Sequence, residues 1–180
     1  QTFHCWKEKG HGWVSLKNAM KQSCDTYFYE VSRLLGVDRL NITAKKFGLG
    51  KKVLGEYFDN EKKGLFPNTK WKKNNLGRGW VLGETLITGI GQGYIQSTPL
   101  QLCMMTAQIA NGGYAIKPKI IVDSNPISYE DAKQSMESGL LFDSNSDSLL
   151  DKKLFKNKKN IKIVQEAMFA STNERFGTSY

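Results

Sequence analysis

The chain has 180 residues, of which 39% are hydrophobic and 11% aromatic, enough to bury the core of one domain and too apolar for a disordered polymer. No apolar run approaches the roughly 18 residues needed to cross a bilayer, and the chain begins without a signal-peptide layout, so it is expected to be a piece of a longer protein. The 26 basic and 17 acidic residues leave a charge of +9. The lysines come in loop doublets beside Gly and Asn, without interleaved arginines or one basic helical face, which favours a solvated surface over a nucleic-acid site. Three cysteines cannot all pair within one chain, which argues against a disulfide framework.

The first element is a compact loop over residues 3–13, in which Gly10 and Gly12 flank His11 and free the backbone to aim its ring. Cys5, His11 and Cys24 are spaced C-x5-H-x12-C, a set of soft and borderline ligands suited to zinc. The same residues also read as two buried thiols and a surface histidine. A closed structural site wants a fourth ligand. His4 sits too close to Cys5 for an easy bite, so that ligand is expected upstream of Gln1.

Ser15 is placed to cap a first helix with Leu16, Ala19 and Met20 on one face. Next, Gln22-Ser23-Cys24-Asp25-Thr26-Tyr27-Phe28-Tyr29 sets a hydroxyl, a thiol and a carboxylate side by side at the mouth of an aromatic helix. Ser and Asp favour helix ends, so Ser23 or Asp25 reads as the N-cap. Phe28, Val31, Leu34 and Leu35 form its inward stripe until Gly36 ends it. Asp38 is expected to cap a third helix with Leu40, Ile42, Ala44 and Phe47 inward.

Periodicity disappears over residues 51–83, which read as one long loop pinned by Trp71 and Trp80. A helical turn follows from Gly83, with glycines at 89, 91 and 93 marking a close backbone approach rather than a phosphate loop. Thr98-Pro99 opens a clear helix with Leu100, Cys103, Met104 and Ala107 along it, and Cys103 reads as an inert core thiol. Residues 114–122 read as an edge strand because of Pro118. Residues 124–153 read as an irregular connector with one weak helix near 129–136. A last amphipathic helix spans 160–172 (Ile161, Val164, Ala167 and Met168 inward), before open coil at Phe176-Gly177-Thr178.

The order G-H-G-x-V, S-C-D-T-Y-F-Y, G-x-x-R-L with F-G-L-G, G-E-T-L-I-T-G-I-G-Q-G-Y-I-Q-S-T-P-L-Q-L and A-N-G-G resembles penicillin-binding transpeptidases, in particular the class B enzymes of bacterial elongation. The resemblance covers nearly the whole chain. It implies an α/β (α+β) fold like that of the β-lactamases, with residues 1–180 supplying mainly its helical subdomain. It further implies a serine D,D-transpeptidase that cross-links peptidoglycan stem peptides and binds penicillin, facing the periplasm from the inner membrane beside membrane proteins of the elongation machinery. Of the three family motifs, S-x-x-K, S-x-N and K-[ST]-G, only the second has a match, Ser23-Cys24-Asp25, with Asp in the third place. By that match Ser23 passes a proton during acyl transfer and Asp25 holds substrate and the motif lysine. The nucleophile is then expected upstream of Gln1 and the K-[ST]-G strand beyond Tyr180. The segment alone, without nucleophile or oxyanion hole, is expected to be inert to penicillin. The resemblance also implies zinc at Cys5, His11 and Cys24. A non-catalytic binding or scaffold module of the same fold is the alternative.

Overall fold

A computed structural model describes residues 2–55, 57–118, 120 and 153–180. They form seven helices: α1 Leu16–Lys21, α2 Asp25–Leu35, α3 Val37–Lys46, α4 Thr69–Leu76, α5 Leu82–Gly89, α6 Pro99–Ala110 and α7 Lys158–Asn173. Among the described residues, β pairing is limited to two isolated antiparallel bridges, Leu65 with Gln96 and Tyr114 with Lys153. The segment is thus the helical portion expected of it. The proposed connector over 124–153 and its weak helix lie outside the described residues, apart from Lys153.

Two helix pairs organise the body, α1 against α7 and α2 against α5, with α3 bridging α2 to α5. The α2–α5 contact is tight because Gly89 presents no side chain: a Cβ there would lie 1.6 Å from the Ser32 hydroxyl oxygen and 2.5 Å from its Cβ. Ser32 in turn donates to the Phe28 carbonyl one turn back, at 2.6 Å. The close approach expected around the glycine cluster is therefore real, and it falls at Gly89.

The interior joins helices to loops through buried amides. Gln101 is fully buried and donates to the carbonyls of Lys51 and Lys63 at 2.6 and 2.8 Å, while its own oxygen accepts from the Thr98 backbone. Gln108 donates to the Phe47 carbonyl and accepts from the Ile116 amide. Asn41 donates to the Phe66 carbonyl at 2.6 Å. Loops packed against a core leave backbone groups that need partners, and these side chains supply them.

That arrangement overturns several expectations. On α6 the inward face is set by Gln101 and Gln108, seven residues apart and so nearly in line. Cys103 lies about 200° round from Gln101 and is exposed, not a core thiol. Leu34 and Leu35 at the end of α2, Ile42 on α3 and Met168 on α7 are likewise exposed, because contacts with α5 and α1 cover only part of each helix. The stretch 51–83 is not a single loop. It contains α4, capped by the Asn68 side chain on the Trp71 amide at 2.7 Å and closed by left-handed Gly77. Both tryptophans there do pin to the body, with Trp71 and Trp80 against Tyr94 at centroid distances of 5.3 and 6.3 Å. Between them a nearly buried ion pair joins Lys72 of α4 to Glu84 of α5. Of the run 114–122, the β-bridge given for the described residues is that of Tyr114 with Lys153.

Candidate functional site

The corner between α1 and α2 is built on an unusual backbone. Ser23 has φ of +50°, in the left-handed region that L-residues other than Gly, Asn and Asp seldom occupy. This turn lets the Cys24 amide reach back to the Ala19 carbonyl at 2.8 Å while α2 leaves in a new direction. Neither expected cap is used. Cys24 occupies the N-cap position without a capping bond from its side chain to a backbone N–H, and Asp25 is the first residue of α2. There a carboxylate is favoured by the partial positive charge of the helix start.

Ser23 is exposed at a cleft of about 360 Å³ lined by Met20, Ser23, Asp25, Phe28, Gly89 and Ile90. Its hydroxyl lies 2.9 Å from that of Thr178, 155 residues away. Thr178 is held there by its own amide, which donates to the Lys21 carbonyl at 3.1 Å. Glu174 fastens the same turn through Lys17 and Lys21 at 2.7 and 2.9 Å. Hydrogen bonds from those two ammonium groups hold the Glu174 carboxyl below its usual range. A larger depression of about 600 Å³ lies between α1, α6 and α7, but it includes none of the motif residues.

The loop 3–13 folds over the other side of the corner. Gly10 and Gly12, at φ of +67° and +64°, turn it sharply enough to bring His11 back to Cys5, with Nδ1 3.3 Å from Sγ. Cys24 is 2% exposed, and one ligand atom from each of Cys5, His11 and Cys24 lies within 4.8 Å of the other two. Two sulfurs and an imidazole nitrogen so gathered are a donor set that fits zinc.

Asp25 lines the cleft and also accepts from the Trp6 backbone N–H at 2.9 Å. The Trp6 indole N–H reaches the Ser23 carbonyl at 2.8 Å and that of Gln22 at 3.2 Å. Tyr29, one turn into α2, has its phenol pushed above the ordinary value by burial first, then by the charges of Asp25 and Cys5. The structure thus gathers all five expected residues (Cys5, His11, Ser23, Cys24 and Asp25) at one corner. Sequence reasoning gave no role to Trp6 or Thr178. The only trace of Trp6 was its place between Cys5 and His11, and Thr178 was visible only as part of a turn.

Comparisons with known proteins show the family and the fold of this segment. The penicillin binding protein transpeptidase domain family matches residues 1–180. The peptidoglycan D,D-transpeptidase MrdA of Acinetobacter baumannii is 42% identical over 119 residues, covering 66% of this chain and 18% of that protein. A crystal structure of Pseudomonas aeruginosa PBP2 in complex with WCK 5153 superposes with a TM-score of 0.77 at 35% identity, over 98% of this chain and 36% of that one. PBP2 of Helicobacter pylori, in its complex with MreC, gives a TM-score of 0.78 at 30% identity, over 99% of this chain and 29% of that one. The chain therefore spans only about a fifth of the curated relative's length.

Proposed function

Because residues 1–180 belong to the penicillin-binding protein transpeptidase domain family, we propose that they form one wall of the active site of a peptidoglycan D,D-transpeptidase. The observation that carries this reading is the exposed Ser23 hydroxyl, held at the cleft by a left-handed backbone and a hydrogen bond to Thr178. A serine outside this segment attacks the carbonyl of a stem peptide ending in D-Ala-D-Ala. The terminal D-Ala departs as its nitrogen gains a proton, and the acyl group then passes to the amine of a second stem peptide. Ser23 is suited to move the proton between the nucleophile's base and the leaving or entering nitrogen. Asp25 keeps one oxygen occupied by the Trp6 amide and has the other for substrate or the motif lysine. Opening of a β-lactam ring is the same acylation without a departing amine.

Cys5, His11 and Cys24 would hold a zinc ion, with a fourth ligand from outside this segment. Bound there, zinc serves as a structural cross-link between the loop 3–13 and the N-cap of α2, fixing the backbone on either side of Cys24. The H. pylori relative's complex with MreC supports docking to a membrane protein of the elongation machinery. A periplasmic position facing the inner membrane follows from the same reading. No described helix is long and apolar enough to cross a membrane.

The test is acylation by a fluorescent penicillin. The full-length protein should label, Ser23→Ala should label much more slowly, and residues 1–180 alone should not label. An unlabelled full-length protein, or an unchanged rate for Ser23→Ala, refutes the reading, the first in favour of a non-catalytic module. Elemental analysis tests the metal: zinc should accompany the purified protein and be lost in Cys24→Ser.

A further inference from the structure

We propose that Trp6 is a positioning residue for Ser23, holding the motif backbone in its left-handed conformation through the indole N–H. This rests on the transpeptidase reading above and adds to it a residue outside the motif. Ser23 and Phe176 are the only described residues other than glycine with positive φ. Phe176 lies two residues before Thr178, the partner of the Ser23 hydroxyl. Both strained residues therefore flank one hydrogen bond, and strain of this kind persists only where surrounding contacts over-determine it.

At Ser23 those contacts are the backbone bonds of its own N–H and that of Cys24 to the Met20 and Ala19 carbonyls, at 3.2 and 2.8 Å, together with one side chain that reaches both flanking carbonyls. The Trp6 Nε1–H faces the carbonyls of Gln22 and Ser23 together, at 3.2 and 2.8 Å. The peptide groups on both sides of Ser23 are thereby tied to one donor. Trp6 is itself fixed at two further points: its backbone N–H on Asp25 at 2.9 Å, and its ring against His11 at a centroid distance of 5.5 Å. Its side chain is nonetheless 61% exposed, so burial gives little reason for so large a residue here. The donor does. Phenylalanine would keep an aromatic ring beside His11 and remove the N–H, together with part of an indole surface that is mostly exposed. The Ser23–Cys24 peptide would then rest on the Cys24 N–H bond to the Ala19 carbonyl without a side-chain donor on its other edge, and its wider motion would carry the hydroxyl away from Thr178 and the cleft. Proton transfer depends on that position far more than initial binding does, since a displacement of about 1 Å can slow a reaction about a hundredfold.

The experiment uses the full-length protein and a chromogenic penicillin, with binding and acylation separated by stopped flow. For Trp6→Phe, the acylation rate constant should fall roughly ten- to hundredfold while the initial dissociation constant stays within about twofold. Thermal stability and zinc content should match the wild type. A rate constant within about twofold of wild type overturns the proposal, as does a fall fully accounted for by lost stability or lost zinc. A second measurement does not depend on the variant. In protein labelled with ¹⁵N-tryptophan, the Trp6 indole N–H should exchange with solvent at least about tenfold more slowly than that of Trp13, which is fully exposed. Equal exchange rates also overturn it. Ser23→Ala separates the two levels: if it acylates normally, the role of Ser23 fails; if it is impaired while Trp6→Phe is not, only the role of Trp6 fails.

Discussion

Replacing Lys72 with Met tests how the region 66–94 is held together. The ammonium of Lys72 pairs with Glu84 where the two side chains are 7% and 16% exposed, and it lies 5.8 Å from the centre of the Trp80 ring. Burial pushes the Glu84 carboxyl up, but the hydrogen bond from Lys72, the Val81 amide and the Lys72 charge together hold it below its usual value. Methionine leaves that carboxylate in place without its cation. Removing one partner of a buried pair costs about 3–5 kcal/mol, and the residual exposure of Glu84 puts this one near ~3 kcal/mol. For a domain of this size that is a fall in Tm of roughly 6–12 °C. Tryptophan fluorescence follows the unfolding, because Trp71 and Trp80 both pack at this site through Tyr94. In Lys72→Met/Glu84→Gln the amide still accepts the Val81 N–H that Glu84 binds at 3.0 Å, so the double variant should be more stable than Lys72→Met by about 1–2 kcal/mol. The pH dependence has a fixed sign. A carboxyl lowered by folding contributes stability above its ordinary value of 4.5 and loses it as pH falls through the folded value. The gap between wild type and Lys72→Met should therefore narrow in acid. A loss below about 1 kcal/mol at neutral pH, or a double variant no better than the single, refutes the reasoning.

Gly89→Ala should destabilise by about 1–3 kcal/mol, read by thermal unfolding, because the new methyl group meets the Ser32 side chain across α2–α5. Gln101→Leu strands the carbonyls of Lys51 and Lys63. Limited proteolysis should then cut within 51–64 faster than in wild type, with a stability loss of about 2–4 kcal/mol. The exposed Cys103 should react with a thiol reagent in the folded protein well before the buried Cys24, and Cys103→Ser should remove that fast phase.

What could be read from the chain depended on how local its cause was. Thr98-Pro99 announced α6 because capping and the N1 proline act within one turn, and the observed box with Gln101 bears that out. The C-x5-H-x12-C spacing led to three residues that do converge, since the glycines that fold the loop lie within it. Ser23 and Asp25 were named by the resemblance of Ser23-Cys24-Asp25 to a family motif rather than by any local cause. Which face of α6 turns inward was not legible: hydropathy points to Leu100, Cys103 and Met104, whereas the body presents loop carbonyls that call for amide donors. The same limit hid α4, whose sequence TKWKKNNL has little apolar period and which docks through the Lys72–Glu84 pair. At the corner, Ser and Asp outrank Cys as caps by intrinsic preference. That preference lost to tertiary demands, since the Ser23 hydroxyl turns to Thr178 and Asp25 to Trp6. None of those partners is adjacent in sequence.

The hydroxyl contact between Ser23 and Thr178 spans 155 positions, so this corner cannot mature while the chain is still collapsing locally. Residue 23 acquires its partner only when the turn after α7 has reached Lys21 of α1. Long-range closure of this kind is slower than forming a turn, with an entropic penalty that grows as the logarithm of the loop. The Ser23–Thr178 contact would then appear late along the folding route of this segment. A molecule that grips Ser23 and the 176–178 turn together would brace that late step, favouring the completed fold in proportion to its occupancy.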